Sequence, residues 1–213
     1  MIQNTQSRIF NKIKKYCEEL SSDFSEISSD RKALLDQIVD YISSKKKEEE
    51  INLVYVCTHN SRRSHFGQVW ATVAADFYNI QNVNSYSAGT EQTAFHPNAI
   101  AALTRVGFKI DKPKEEQNPK YNVNFGENQS TTCFSKTLDH KTLPKQNFAA
   151  IMTCGDAEAN CPFLPGAEKR IATTYEDPKK FDGTPQEAEK YDERCRQIAL
   201  ETLYVFYQFS SQK

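Results

Sequence analysis

Near the start of the chain, apolar residues recur every three to four positions in two separate runs. Ile9, Phe10, Ile13, Tyr16, Cys17 and Leu20 trace one amphipathic helix; Leu34, Leu35, Ile38, Tyr41 and Ile42 trace a second, capped by Ser28-Ser29-Asp30. Residues 21–29 between them read as a loop, and Lys45–Glu50 as a charged, solvated linker. Helices of this size do not bury their apolar stripes alone, so both are expected to pack on the rest of the chain or on another chain. Residues 1–49 are thus expected to form a two-helix extension, and residues 50–213 the main domain.

The pattern changes at Ile51. The continuous apolar run 51–56 predicts a buried strand, and 64–78 a helix with Phe66, Val69, Trp70, Val73 and Phe77 on its apolar side. A second strand is expected over 83–87, ended by Ala88-Gly89. A helix over 97–106 starts with proline and stops before Gly107, as helix termini favour. Residues 148–153 and 170–174 read as the third and fourth strands. The last helix carries Tyr191, Cys195, Ile198, Thr202, Val205, Phe206 and Phe209 on one face, behind a capping box in Thr184-Pro185-Gln186-Glu187. Strands alternating with helices predict an open parallel α/β sheet, with its ligand site at the strand C-termini. One segment departs from the alternation: Tyr121, Val123 and Phe125, a Gly126-Glu127-Asn128 turn and an extended 130–134 predict a β-hairpin insertion over about 117–137. It is expected either to shape the rim of the site or an oligomer contact, or to be decorative.

Composition narrows the partners. Across 213 residues, 27 basic side chains balance 28 acidic ones, which gives no reason to expect a nucleic acid or a membrane surface. No apolar run approaches the roughly 20 residues of a membrane span. The start Met-Ile-Gln-Asn-Thr-Gln lacks the features of a signal peptide, so a cytoplasmic location is the expectation. There the six cysteines are expected to be reduced, catalytic or buried rather than a disulfide frame.

Chemistry concentrates after the first strand. Cys57-Thr-His-Asn-Ser-Arg-Arg63-Ser64 places a thiol and an arginine across a loop that ends in a helix. Backbone N–H groups and the helix dipole at such a turn favour an anion and a thiolate, and Arg63 can clamp a tetrahedral oxyanion. Thr58, His59, Asn60, Ser61, Arg62, Arg63 and Ser64 are the candidate oxyanion-binding residues. Arg62 is either a second anion contact or, as the blander reading has it, a solvent-facing side chain. His59 stands where the loop is expected to take an unusual backbone conformation. Cys154 and Cys161 flank a polar stretch at the end of the third strand, which suits mobile cysteines that exchange with Cys57. Their spacing and the lack of a nearby histidine give no metal site, and no cofactor is expected. Cys17, Cys133 and Cys195 are expected to be structural. Asp177-Pro178, on a stiffened loop, offers a general acid.

Together, C-x5-R-S after the first strand, Ser87-Ala-Gly89 after the second and Asp177-Pro178 before the last helix resemble the low-molecular-weight protein tyrosine phosphatase superfamily. Cys154 and Cys161, within Cys-x-Asp-Ala-x-x-x-Cys-Pro, are similar to the redox cysteines of its thiol- or thioredoxin-dependent arsenate reductases. The resemblance runs from Asn52 to about Phe209. It implies a three-layer α/β/α fold with a four-stranded parallel sheet, Cys57 attacking arsenate, Arg63 holding its oxygens and Asp177 protonating the departing oxygen. It further implies that Asn60 and Ser64 order the loop, and that a disulfide passes from Cys57 to Cys154 and Cys161. A thioredoxin-like protein or a small thiol would then reduce it. Related enzymes can carry glutamate where Gln68 stands, so an ion-stabilised loop is not implied here. The competing readings are a tyrosine phosphatase using a Cys57 phosphocysteine, for which Tyr175 or Phe181 would supply the aromatic wall, and a non-catalytic phospho-ligand or redox-sensing module.

Overall fold

The computed structural model describes residues 9–111, 113, 117–160 and 164–212, without the side chain of Asn160. Helices α1 (Asn11–Ser22) and α2 (Ser29–Ser43) precede β1 (Ile51–Cys57), α3 (Arg63–Phe77), β2 (Val83–Gly89) and α4 (Pro97–Val106). Next come β3 (Lys109–Ile110), β4 (Tyr121–Gly126), β5 (Gln129–Cys133), β6 (Phe148–Met152), α5 (Gly155–Asn160), β7 (Ala167–Ala172) and α6 (Glu187–Ser210). The main sheet runs β2-β1-β6-β7, all parallel, and β3-β4-β5 form a small antiparallel sheet.

Alternation along the central strands divides the core in two. Leu53, Tyr55, Ala149 and Ile151 face the larger apolar cluster, built with α1, α2, α3, α4 and α6. Val54, Val56, Ala150 and Met152 face the smaller one, which also holds Cys57, Cys154, Ala157 of α5 and Leu143. The molecule is therefore a three-layer α/β/α unit with one thick and one thin helical layer. Gly67 allows α3 to lie against β1, since a Cβ there would stand 2.2 Å from the Tyr55 ring.

The two N-terminal helices pack on this same chain. Ile13, Cys17, Leu20, Leu35, Ile38 and Ile42 all enter the larger cluster, and Ser28 caps α2 by accepting from the Arg31 N–H. Phe10 N–H donates to Phe125 O, so the residues just before α1 lie along the small sheet. The expected capping box before α6 is shifted by one residue: Glu187 accepts from the N–H of Gly183 rather than Thr184. Among the described residues no helix is long and apolar enough to cross a membrane.

Candidate active site

The Cys57–Ser64 loop leaves the C-terminal end of β1 and turns directly into α3. Its reversal needs one residue in the left-handed region, and that residue is Asn60 (φ 43°), not His59. Asparagine tolerates this conformation because its short amide bonds locally. Here Asn60 Nδ2 donates to Ser64 Oγ at 2.8 Å, and its Oδ1 accepts from the Lys136 N–H at 2.8 Å. Ser64 Oγ in turn lies 3.1 Å from Cys57 Sγ. The resulting chain links the thiol to the loop through two fully buried polar residues.

The loop's carbonyls are taken up from outside. Thr90 and Glu91 N–H groups donate to Cys57 O and Thr58 O, and His96 N–H donates to Ser61 O. Thr93 and Ser135 hydroxyls donate to His59 O. Gly89 permits this docking: a Cβ would sit 2.6 Å from Thr58 O and 2.7 Å from Asn60 N. With its oxygens engaged, the loop retains its N–H edge for an anion.

Arg63 reaches from the first turn of α3 to the segment after β7. Its Nη1 donates to Tyr175 O at 2.7 Å and its Nη2 to Asp177 Oδ2 at 2.5 Å. Its Nε is buried with no partner among the described residues. Asp177 also accepts from Lys179 N–H, which sets the short 3-10 turn Pro178–Phe181. Cys57, Arg63, Asp177 and Ser64 thus converge at the strand ends.

Cys154 corrects an expectation. It is 1% exposed rather than a mobile surface thiol, with its Sγ 3.4 Å from Thr58 Oγ1 and 3.4 Å from Ala157 N. Parallel pairing of β6 with β1 brings it there: Thr153 N–H donates to Val56 O at 2.7 Å, placing the next residue against the loop. Arg170 ties α5 to β7 through the Glu158 carboxylate and carbonyl. Cys161 lies outside the described residues. Cys17, Cys133 and Cys195 are buried, and burial pushes each thiol up to about 12, in line with structural roles.

Arg62 is not solvent-facing. Its Nε donates to Tyr191 OH at 2.6 Å and its Nη2 to Asp182 Oδ2 at 3.1 Å, so these two nitrogens are committed to groups outside the Cys57–Ser64 loop. His59 is half exposed, within 3.5 Å of Glu91. Tyr175 does not form a wall at the site mouth. Its ring is buried beneath the Arg31 guanidinium, 4.6 Å from the ring centre, and burial beside Glu201 holds its phenol well above the usual range. Phe181 is half-buried between Lys180 and Lys190.

The residue that sequence reasoning missed is Lys136. It follows the hairpin, is almost fully buried, and donates from Nζ to Phe134 O at 3.2 Å and Ser87 Oγ at 3.5 Å. Burial pushes its ammonium down to about 8. Ser87 also donates to Gln68 Oε1 at 2.7 Å and lies 3.1 Å from His65 Nδ1; burial, helped by the Lys136 charge, holds His65 well below its usual range. Gln68 binds Thr131 and Thr132 of β5. The hairpin therefore leads into residues that support the loop from below.

No family model matches the chain. It is 28% identical over 155 residues to an arsenate reductase of Oceanobacillus iheyensis and 30% identical over 155 residues to one of Bacillus licheniformis. Each match covers 72% of this chain and 93% of the relative. Among solved structures it superposes on a YwlE mutant from Bacillus subtilis with a TM-score of 0.52 and 15% identity, covering 77% of this chain and all of the other. A low-molecular-weight phosphotyrosine phosphatase from Vibrio cholerae O395 gives 0.50 and 15%, over 76% and 97% of the two chains. These structural matches show a shared fold.

Proposed function

The chain belongs to the arsenate reductase branch of the low-molecular-weight protein tyrosine phosphatase superfamily, and on that premise we propose that it reduces arsenate through a three-cysteine relay. Cys57 thiolate attacks As(V) and forms an S–As bond, while one arsenate oxygen departs as water with a proton from Asp177. The N–H groups of Thr58–Ser64 and the Arg63 guanidinium hold the remaining oxygens, the unpartnered Arg63 Nε supplying one donor. Cys154 thiolate then attacks Cys57 Sγ. A disulfide forms, the S–As bond breaks, and its electron pair stays on arsenic, which leaves as arsenite. Cys161 attacks Cys154, freeing Cys57. An external dithiol, thioredoxin-like or a small thiol, reduces the Cys154–Cys161 disulfide.

The observation that carries reduction over hydrolysis is the seat of Cys154 against the loop, its sulfur 3.4 Å from Thr58 Oγ1. A hydrolase has no need of a second thiol there. Neither the buried Tyr175 ring nor the Lys179-Lys180 pair that follows Asp177-Pro178 supplies an aromatic wall for a phosphotyrosine. The test is arsenate-dependent NADPH oxidation with thioredoxin and thioredoxin reductase, run beside hydrolysis of a phosphotyrosine peptide. Arsenate-dependent oxidation with slow hydrolysis is expected; the reverse would overturn the proposal. Cys161→Ser should abolish multiple turnover while leaving one turnover of arsenite release, and intact cycling would remove Cys161 from the relay.

A further inference from the structure

We propose that the N-terminal extension is part of the catalytic apparatus, with Arg31 of α2 a positioning residue for the segment that carries Asp177. The proposal rests on the reading of Arg63 and Asp177 given above. Arg31 leaves the first turn of α2 and spans three groups at once. Its Nη2 donates to Thr173 O at 3.2 Å and its Nη1 to Thr174 O at 3.3 Å. Its Nε and Nη2 hold Glu201 Oε2 of α6 at 3.0 and 2.8 Å. The same guanidinium lies over the Tyr175 ring.

The two carbonyls and the ring that Arg31 touches lie on the segment that leads to the site. Thr173–Tyr175 runs from the end of β7 into Asp177, and Tyr175 O accepts from Arg63 Nη1 at 2.7 Å. On the other edge, Thr173 N–H donates to Met152 O and Tyr175 N–H to Thr153 O, one residue before Cys154. The segment is thus held through two N–H groups by the sheet and through two carbonyls by Arg31. Glu201 is 3% exposed and accepts a further bond from Gln197, so it anchors the guanidinium rather than competing with the carbonyls. A planar fork of five donors can satisfy two carbonyls and a carboxylate together, whereas a lysine cannot span them.

A purely structural role, fastening the extension to the domain, is the rival explanation. Arg196 provides the comparison: it too joins α6 to the extension, through Asp23 and Glu26, but it has no bond to the 173–177 segment. The experiment compares full-length Arg31→Met, Arg31→Lys and Arg196→Met for arsenate kcat and KM, thermal midpoint, and amide exchange over 173–177. Arg31→Met is expected to lower kcat about tenfold or more with KM changed less than about threefold, and to speed exchange at Thr173 and Tyr175. Arg31→Lys should recover part of the loss, and Arg196→Met should lower the midpoint without either effect. Equal losses of kcat in Arg31→Met and Arg196→Met, or none in Arg31→Met, would overturn the proposal. Should the wild-type chain reduce no arsenate, the proposed function falls by itself. Exchange over 173–177 then decides: faster in Arg31→Met alone sustains the positioning role, and equal exchange in both variants rejects it.

Discussion

Replacing Lys136 with methionine should stabilise the fold near neutrality and do so less as pH rises. Holding this buried ammonium at about 8 instead of the usual 10.5 costs the fold about 3 kcal/mol wherever the amine is charged in both folded and unfolded chains, as at pH 7. Against that, methionine forfeits the bonds to Phe134 O and Ser87 Oγ, together worth about 1–2 kcal/mol, so the net gain at pH 7 is about 1–2 kcal/mol. The sign with pH follows from proton counts. Between 8 and 10.5 the unfolded chain keeps a proton that the folded lysine has released, so wild-type stability rises with pH through that window. The methionine variant lacks this rise, and its advantage should shrink by about 2.5 kcal/mol between pH 7 and pH 10. Cys133, pushed up to about 12 chiefly by burial, favours unfolding as pH climbs above 9; burial acts in both proteins and cancels in the difference, leaving only the smaller effect of the Lys136 charge on this thiol. Urea unfolding followed by the fluorescence of Trp70, the chain's single tryptophan, measures both curves. A stability difference equal at pH 7 and pH 10 would refute the reasoning, because packing and hydrogen bonding alone carry no such pH dependence.

Gly89→Ala should cost about 100-fold in kcat/KM while the chain stays folded by circular dichroism, because the added methyl displaces Thr58 and Asn60 of the loop. Asp177→Asn should lower kcat about 100-fold or more, yet tighten inorganic phosphate binding by calorimetry, because Arg63 loses a competing carboxylate. Below pH 6.5 stability should fall, because unfolding lets the buried neutral His65 take up a proton; the slope should flatten in His65→Gln, read from melts between pH 5 and 7.

Much of this architecture was legible because it follows from local pattern. The apolar run at Ile51, the proline-to-glycine span of α4 and the turn at Gly126-Glu127-Asn128 each name their element without tertiary information. The C-x5-R-S spacing likewise marks the loop, because a nucleophile and an oxyanion clamp must share one turn. What stayed hidden depends on partners far along the chain. Arg62 reads as solvated until Tyr191 and Asp182 meet it, and nothing local singles out Lys136, which the fold encloses with Ser87 and Phe134. Cys154 sits in polar sequence, yet strand pairing buries it, since register rather than neighbouring polarity decides which residue lies against the loop. The strained position fell at Asn60 rather than His59 because the side chain there bonds both Ser64 and Lys136.

The adjacent arginines show how such wiring bears on mechanism. Arg62 and Arg63 each hold an aspartate, and those aspartates flank one short turn, Asp177 before it and Asp182 after it. The two pairs are unequally satisfied. Arg62, Asp182 and Tyr191 are joined to one another and to His96: the tyrosine hydroxyl accepts from Arg62 Nε, donates to Asp182 Oδ1 at 2.7 Å and lies 3.4 Å from His96 Nδ1. Arg63 keeps a buried Nε without an acceptor. On the proposed reading, an oxyanion entering the loop gains the free Nε donor of Arg63, whereas Nε and Nη2 of Arg62 are already engaged, so it competes with Asp177 and leaves Asp182 in place. The acid segment would then be released from Arg63 at its near end while staying fastened at its far end. Under the proposed mechanism, that is the condition for Asp177 to meet the departing oxygen instead of drifting from the pocket.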